Sequence, residues 1–481
     1  MNKANEICIT FNNSNNLTTS WLAGNETASW NWDRIPTEAA TGKSTTLICE
    51  MVFFTGLMAI QCVLLHPKFH GSLTARLMRL SLGPVIIGWW LCYPFRVPLK
   101  PFQDRTVLPG FFAAIMISKS CEWSFAKGPY YLRSLKFVKG VPMWEKEPAP
   151  LKLAPEDSES NWRDLSLWTL MQFFAQRGFR WSWGPAGRGN ERTFLQMVVE
   201  LVRLQLMLLP CLAFVIYSQD WKTMDIDSRK PLLALGVPSF VGLGLIASGM
   251  HSLSTMFVIS TSLEIVGIIS VLPTYYLYPL SLRMGLSPKI SELLNPAGFP
   301  PQFGPILEFS SLAHFWGKTW HQKLRRPFVF CGGKPAISLA RRFGASESVQ
   351  KACGVIGVFA VSGLIHEFPM YAFQREPHPY PRKLFKSFPR SFLFFFLQSF
   401  GLLLEPMIIP YIPKRLGGGK LWTAMFLFLT APLFTLDISQ PGGMFSQYRI
   451  PQHWTWVDFL LPPALAAQIP PKPSINLKLC P

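Results

Sequence analysis

GVIGVFAVSGLIHEFPMYAF, residues 354–373, decides the fold. It matches the ~20 apolar residues needed to cross a bilayer. Its only side chains able to carry charge near neutral pH are His366 and Glu367. Ionisable groups at membrane depth are costly, and they mark sites of function. A lone histidine in a soluble core is more often structural, but lipid shifts that balance. On a helix, Ser362, Gly363 and His366 share one face at i, i+1 and i+4. Small residues beside the imidazole leave room for a ligand or another helix.

Similar runs recur outward from this segment, near 46–66, 80–95, 107–125, 195–218, 352–374, 391–412, 420–436 and 456–470, with a nearly uncharged stretch over 232–282. The expected fold is all-α, a polytopic transmembrane helical bundle of about 7–9 spans enclosing a reaction tunnel. Composition agrees. The 481 residues are 49% hydrophobic and 15% charged, against about 25% charged in a soluble domain. The net charge of +19 would raise nucleic acid first in a soluble protein. Here it is what cytoplasmic loops supply, and no nucleic-acid signature accompanies it. The bilayer is the expected partner.

The domain plan follows from charge and length. Residues 1–45 form a lumenal tail with sequons at Asn12, Asn16 and Asn25 as glycosylation sites. Residues 46–126 hold the first helices, 127–192 a cytoplasmic insertion, and 193–481 the core, with a basic motif loop at 283–350. Counting crossings through 232–282 as two would leave that basic loop lumenal. Its charge predicts one or three crossings, or a re-entrant segment.

Other polar groups have plainer readings. Gln398 and Glu405 lie two turns apart on one face, and Glu50 and Glu264 are singletons; hydrogen bonding between helices accounts for all four. His66 and His70 have zinc-like i, i+4 spacing, but Pro67 lies between them and no third ligand follows, so no metal is expected. His453 and Asp458 fit an H-x4-D pattern too short to carry weight. The nine cysteines form no CxxC pair. G-x-S-x-G, P-loop and G-x-G-x-x-G motifs are absent.

The densest chemistry is SLAHFWGKTWHQKLRR, residues 311–326. Phe315, Trp316 and Trp320 crowd His314 and His321, and Lys318, Lys323, Arg325 and Arg326 interleave or follow. The plain reading of the cations is positive-inside anchoring.

These residues carry a resemblance. PPQFGPILEFSSLAHFWGKTWHQ (300–322), VSGLIHE (361–367) and FFLQSFGLLLE (395–405) resemble, in order, the motifs of wax synthase-like proteins in the membrane-bound O-acyltransferase superfamily. The long insertion with RGFRWSWG (177–184) is more similar to the fungal branch acting on terpenoid-type alcohols. One departure stands out: Ala313 and His314 replace the usual basic residue after Ser-Leu.

The resemblance implies acetyl transfer from acetyl-CoA, a co-substrate, to a hydrophobic terpenoid-like alcohol, with no tightly bound cofactor. It makes His366 the catalytic base, since a neutral imidazole suits proton removal near pH 7. His321 would polarise the thioester or place the acceptor. Glu367, Trp316, Trp320 and Gln398 would support them, and Lys318, Lys323, Arg325 and Arg326 would bind the phosphates of acyl-CoA. The chain would be a multi-pass membrane protein of the endoplasmic reticulum. Long-chain wax ester synthesis is the alternative within this chemistry. A transporter with a buried His/Glu relay is the alternative of another class, and a non-catalytic scaffold leaves His366 unexplained. The alcohol and the oligomeric state stay open.

Overall fold

The computed structural model describes residues 9–11, 17–19, 37–97, 107–145, 162–185, 187–220, 225–305, 308–374, 387–440 and 444–445. Asn12, Asn16, Asn25, His453, Asp458 and the expected span at 456–470 lie outside them. The chain divides into two units, residues 1–56 with 96–98 and residues 57–95 with 99–481. In the first, β1 (Ile9–Phe11) pairs antiparallel with β2 (Leu17–Thr19). There Glu50 accepts two hydrogen bonds from Arg96, at 2.5 and 2.8 Å.

The long helices are α1 (Thr37–Val63), α2 (Leu73–Arg96), α3 (Leu108–Phe125), α4 (Trp162–Phe174), α5 (Phe194–Tyr217), α6 (Leu243–Val271) and α7 (Thr274–Arg283). The second half adds α8 (Lys334–Arg342), α9 (Glu347–Phe373), α10 (Arg390–Ile408) and α11 (Gly419–Ser439). Among the described residues, six helical stretches are long and apolar enough to cross a membrane: Thr45–Val63, Phe194–Tyr217, Leu243–Arg283, Glu347–Phe373, Arg390–Tyr411 and Gly419–Ser439. Leu195, Leu206, Leu245, Met407 and Leu429 stand exposed on them, as lipid-facing side chains do. Within the ambiguous 232–282 stretch, Leu243–Val271 form one long helix, α6, continued past Pro273 by α7.

Local chemistry sets the ends. Thr193 and Gln196 form a reciprocal capping box that starts α5, and Ser346 caps α9. Polar side chains join helices inside the second unit. Ser252 of α6 bonds Thr435 of α11 at 2.8 Å. Gln61 donates to Ser124 of α3 at 2.8 Å and to the Arg79 carbonyl at 3.0 Å. Glu264 accepts from Arg192 at 3.0 Å and from the Gln302 N–H at 2.8 Å.

The helical expectation omitted small sheets. In the insertion, β3 (Leu135–Val138) pairs with β4 (Val141–Trp144), and β4 with β5 (Gly187–Arg188). Lys139 and Gly140, both with positive φ, make the two-residue turn that fits the strand twist.

Candidate active site

Two breaks in regular helix build the site. The turns Phe315–Thr319 and Phe328–Gly333 are π-helical, a widening common at functional sites. The second lies against α9 through glycines. A Cβ on Gly332 would come within 2.1 Å of the Gly357 carbonyl oxygen, and one on Gly357 within 2.6 Å of the Gly332 oxygen. Only glycine permits that approach.

The opening to the first turn is held from below. Glu405 on α10, read as helix-to-helix bonding, instead accepts the Leu312 N–H at 2.5 Å and the Ala313 N–H at 3.3 Å. A carboxylate on the free amides of a turn is a favourable cap. His314 is bonded locally, its Nδ1 accepting the Ser310 N–H at 3.1 Å.

A cavity of about 480 Å³ results. Both expected histidines line it, with Trp316, Trp320, Phe359, Ser362 and Phe395. The His366 ring stacks on Phe395 at 4.0 Å and 26°, with Phe111 and Phe434 edge-on at 5.7 Å. Its Nδ1 lies 2.8 Å from the Ser362 carbonyl oxygen. A carbonyl only accepts, so Nδ1 carries the proton and donates, and Nε2 keeps the lone pair.

His321 sits among Phe303 and Trp320, each 5.6 Å away between ring centres. Its Nδ1 is buried without a hydrogen-bond partner among the described residues. Burial, then nearby His366, Lys323 and Arg177, pushes its pKa down to about 3. It is a neutral imidazole.

The other expected residues separate. Trp316 and Trp320 form the wall, and Gln398 accepts the Trp316 indole N–H at 3.2 Å. Glu367 points elsewhere: it is buried and accepts the Phe392 N–H in the first turn of α10 at 3.0 Å. The four cations of the motif go four ways. Arg325 lines the cavity. Lys323 lines a different one. Lys318 is exposed. Arg326 donates to Glu122 at 2.9 Å and to Tyr130 at 3.2 Å, and rests over the Trp183 ring.

Two cations that the sequence did not single out, Lys334 and Lys351, line the cavity with Arg325. Lys351 and His366 both lie on α9, fifteen residues apart, about 22 Å at 1.5 Å per residue. The cavity therefore extends along α9 from His366 to Lys351, which pairs with Glu347 at 2.7 Å. The usable signal was positional: Lys334 follows the Gly332–Gly333 pair, and Lys351 opens the helix that carries His366.

Residues 299–397 match the model of the membrane bound O-acyl transferase family. Among curated proteins, the chain is similar to the O-Mevalon transferase macI of Penicillium terrestre, 26% identical over 228 residues, 44% of this chain and 46% of that one. It is also similar to the O-Mevalon transferase yanI of Aspergillus niger, 26% identical over 226 residues, 43% and 46% of the two chains. The acetyltransferase ataH of Aspergillus terreus is 27% identical over 158 residues, 30% and 48%. The matched regions thus span about half the length of these relatives. No solved structure matches. Both candidate histidines, His321 and His366, lie inside the 299–397 segment that is similar to the membrane bound O-acyl transferase family.

Proposed function

We propose that the chain is a multi-pass O-acyltransferase of the endoplasmic reticulum that moves an acetyl group from acetyl-CoA to a hydroxyl of a terpenoid-like alcohol. One observation supports this above the rest: His366, His321 and the cations Arg325, Lys334 and Lys351 line one cavity, with Lys351 about 22 Å from His366 along α9. An acyl thioester on a long arm ending in phosphates has that layout.

The chemistry follows from the histidine tautomer. The alcohol O–H gives its proton to His366 Nε2 as the oxygen attacks the thioester carbonyl carbon. The carbonyl electrons move to its oxygen, and a neutral His321 beside that oxygen can donate a hydrogen bond to it. The intermediate collapses, the C–S bond breaks, and the leaving thiolate takes the proton from the His366 imidazolium. The Ser362 carbonyl stabilises that imidazolium by accepting from Nδ1. Trp316, Trp320 and Phe395 exclude water, so the ester is not lost to hydrolysis.

The small acyl group is favoured by the relatives named as acetyltransferases; a long-chain wax ester synthase is the alternative. The proton relay of a transporter is less favoured, because Glu367 accepts the Phe392 amide rather than joining His366 in the cavity. Membranes containing the protein, given labelled acetyl-CoA or palmitoyl-CoA and a panel of alcohols, test the assignment. His366→Ala should lower transfer by roughly two to four orders of magnitude with the protein still in the membrane. Turnover near wild type in that variant would overturn it.

A further inference from the structure

The loop that sends His321 and Gln322 into the first cavity sends Lys323 into a second, of about 430 Å³. The insertion contributes Phe174, Arg177 and Arg180, α6 contributes Val266, and the stretch before the motif contributes Phe299 and Gln302. Three cations line this space, and among the described residues no Asp or Glu does.

Their charge is unevenly matched. Arg180 gives its guanidinium to the Glu292 and Leu293 carbonyls, at 2.8 and 3.1 Å, between the rings of Trp144 and Phe299. Arg177 gives one N–H to the Pro300 carbonyl at 2.8 Å, while its Nε is buried and unpartnered. Lys323 has no hydrogen bond or ion pair among the described residues. The nearby carboxylate of Glu264 is already engaged by Arg192 and the Gln302 amide. Burial lowers the pKa of Arg177 and of Arg180 to about 10; it also lowers that of Lys323. Glu264 lies near Arg177 and Lys323, and Glu292 near Arg180, but neither carboxylate lines the cavity, so the partly buried cations there gain from an anion that enters it.

The rest of the wall is apolar, with Leu170, Phe174, Val266, Leu293 and Phe299. A bare inorganic anion has no use for such walls, and a neutral alcohol has none for the cations. On the function proposed above, the phosphates of the donor would meet Arg325, Lys334 and Lys351 in the first cavity. What fits is an apolar skeleton bearing one anionic oxygen group. We propose that the second cavity is an acceptor subsite that holds the carboxylate of an amphipathic substrate, so that hydroxy acids are acylated in preference to their neutral counterparts. The word acceptor rests on the acyl-transfer function above; the binding itself does not.

The test uses the full chain in nanodiscs of neutral phosphatidylcholine, titrated with ω-hydroxypalmitate and with its methyl ester. Trp181 lines the cavity, so the part of the tryptophan emission change that disappears in Trp181→Phe reports its occupancy. The acid should bind about ten-fold or more tightly than the ester, the worth of one charge-assisted contact. Lys323→Gln should bring the acid down to the ester's affinity and leave the ester unchanged. Arg177→Gln should do the same, and Lys323, which bonds nothing among the described residues, keeps the test sound if Arg177→Gln fails to fold. Equal binding of acid and ester, or an acid preference that survives Lys323→Gln, would overturn the site. Abolition of acid binding by phosphatidate in the nanodisc would overturn it in favour of a lipid-headgroup site. Binding is read whether or not any acyl transfer occurs. Where transfer does occur, an acid preference in binding with none in kcat/KM would overturn the acceptor role alone.

Discussion

Trp316 is tied to Gln398. Its indole N–H donates across 3.2 Å to the Gln398 side-chain oxygen, and the amide's own N–H groups donate to the Phe394 carbonyl and the Thr430 hydroxyl at 3.1 and 3.0 Å. Gln398 is fully buried, so every polar atom of its amide is matched where water cannot substitute. The wall of the first cavity is therefore held in orientation by a residue that does not line it.

Gln398→Leu should leave the indole N–H unpaired at a cost of about 1–3 kcal/mol. We expect a lower melting midpoint and a kcat reduced roughly ten-fold, about 1.4 kcal/mol in the barrier. Gln398→Glu keeps an acceptor and should recover part of both. Unaltered turnover in the Leu variant would show that the tryptophan needs no such tether.

The neighbours Arg325 and Arg326 should behave unlike one another. Arg325→Gln, like Lys334→Gln and Lys351→Gln, should raise KM for the acyl donor, by about ten-fold at low salt and less at high salt. Arg326→Gln strands Glu122 without its cation and should destabilise by about 3–5 kcal/mol, with donor KM little changed in whatever folds. Protein level, melting midpoint and KM measured together distinguish the two; matched behaviour would contradict the placement.

His321 makes stability depend on pH. The unfolded chain protonates this group near 6.5, whereas the folded one holds it neutral to about 3. The contribution is complete above pH 6.5 and falls by about 1.4 kcal/mol per pH unit as the pH drops from there towards 3. Melting midpoints taken at pH 7.5 and pH 5 should converge for His321→Gln relative to wild type. An equal acid loss in both would remove the assignment.

Gly332→Val should be disruptive, since its Cβ would sit 2.1 Å from the Gly357 carbonyl oxygen. Overpacking at such a contact costs about 1–3 kcal/mol or more. We expect low yield after detergent extraction and loss of transfer, while Gly71→Ala, with nothing within 4 Å, should be silent on both counts.

Glycosidase treatment of protein made in a eukaryotic host should give a gel shift, absent after Asn12, Asn16 and Asn25 are all changed to Gln. Protease cleavage of the tail from the cytosolic side of sealed microsomes would place it on the opposite face.

The helices were legible because lipid leaves a coarse signal, long runs with few charges. Both histidines were legible because each sits in a short segment whose other residues allow few readings. What escaped was long-range pairing. Nothing around Arg326 announces Glu122, 204 positions earlier, so a run of four cations looked like one device and is four. Glu367 beside His366 and Glu405 after Gln398 looked like chemistry or helix glue; each carboxylate accepts backbone amides at the start of another segment. The sheet of the insertion was hidden because strands of two to four residues carry no usable alternation.

The cap that Glu405 places on Leu312 reaches across 93 residues of sequence. At a synthesis rate of about 5–20 residues per second, the motif turn leaves the ribosome roughly 5–20 s before its carboxylate exists. During that interval the aromatic stretch 315–320 has no finished wall to join. Biogenesis of the protein should thus depend on whatever shelters newly inserted segments in the membrane, and a chain stalled before residue 405 should be a ready substrate for quality control.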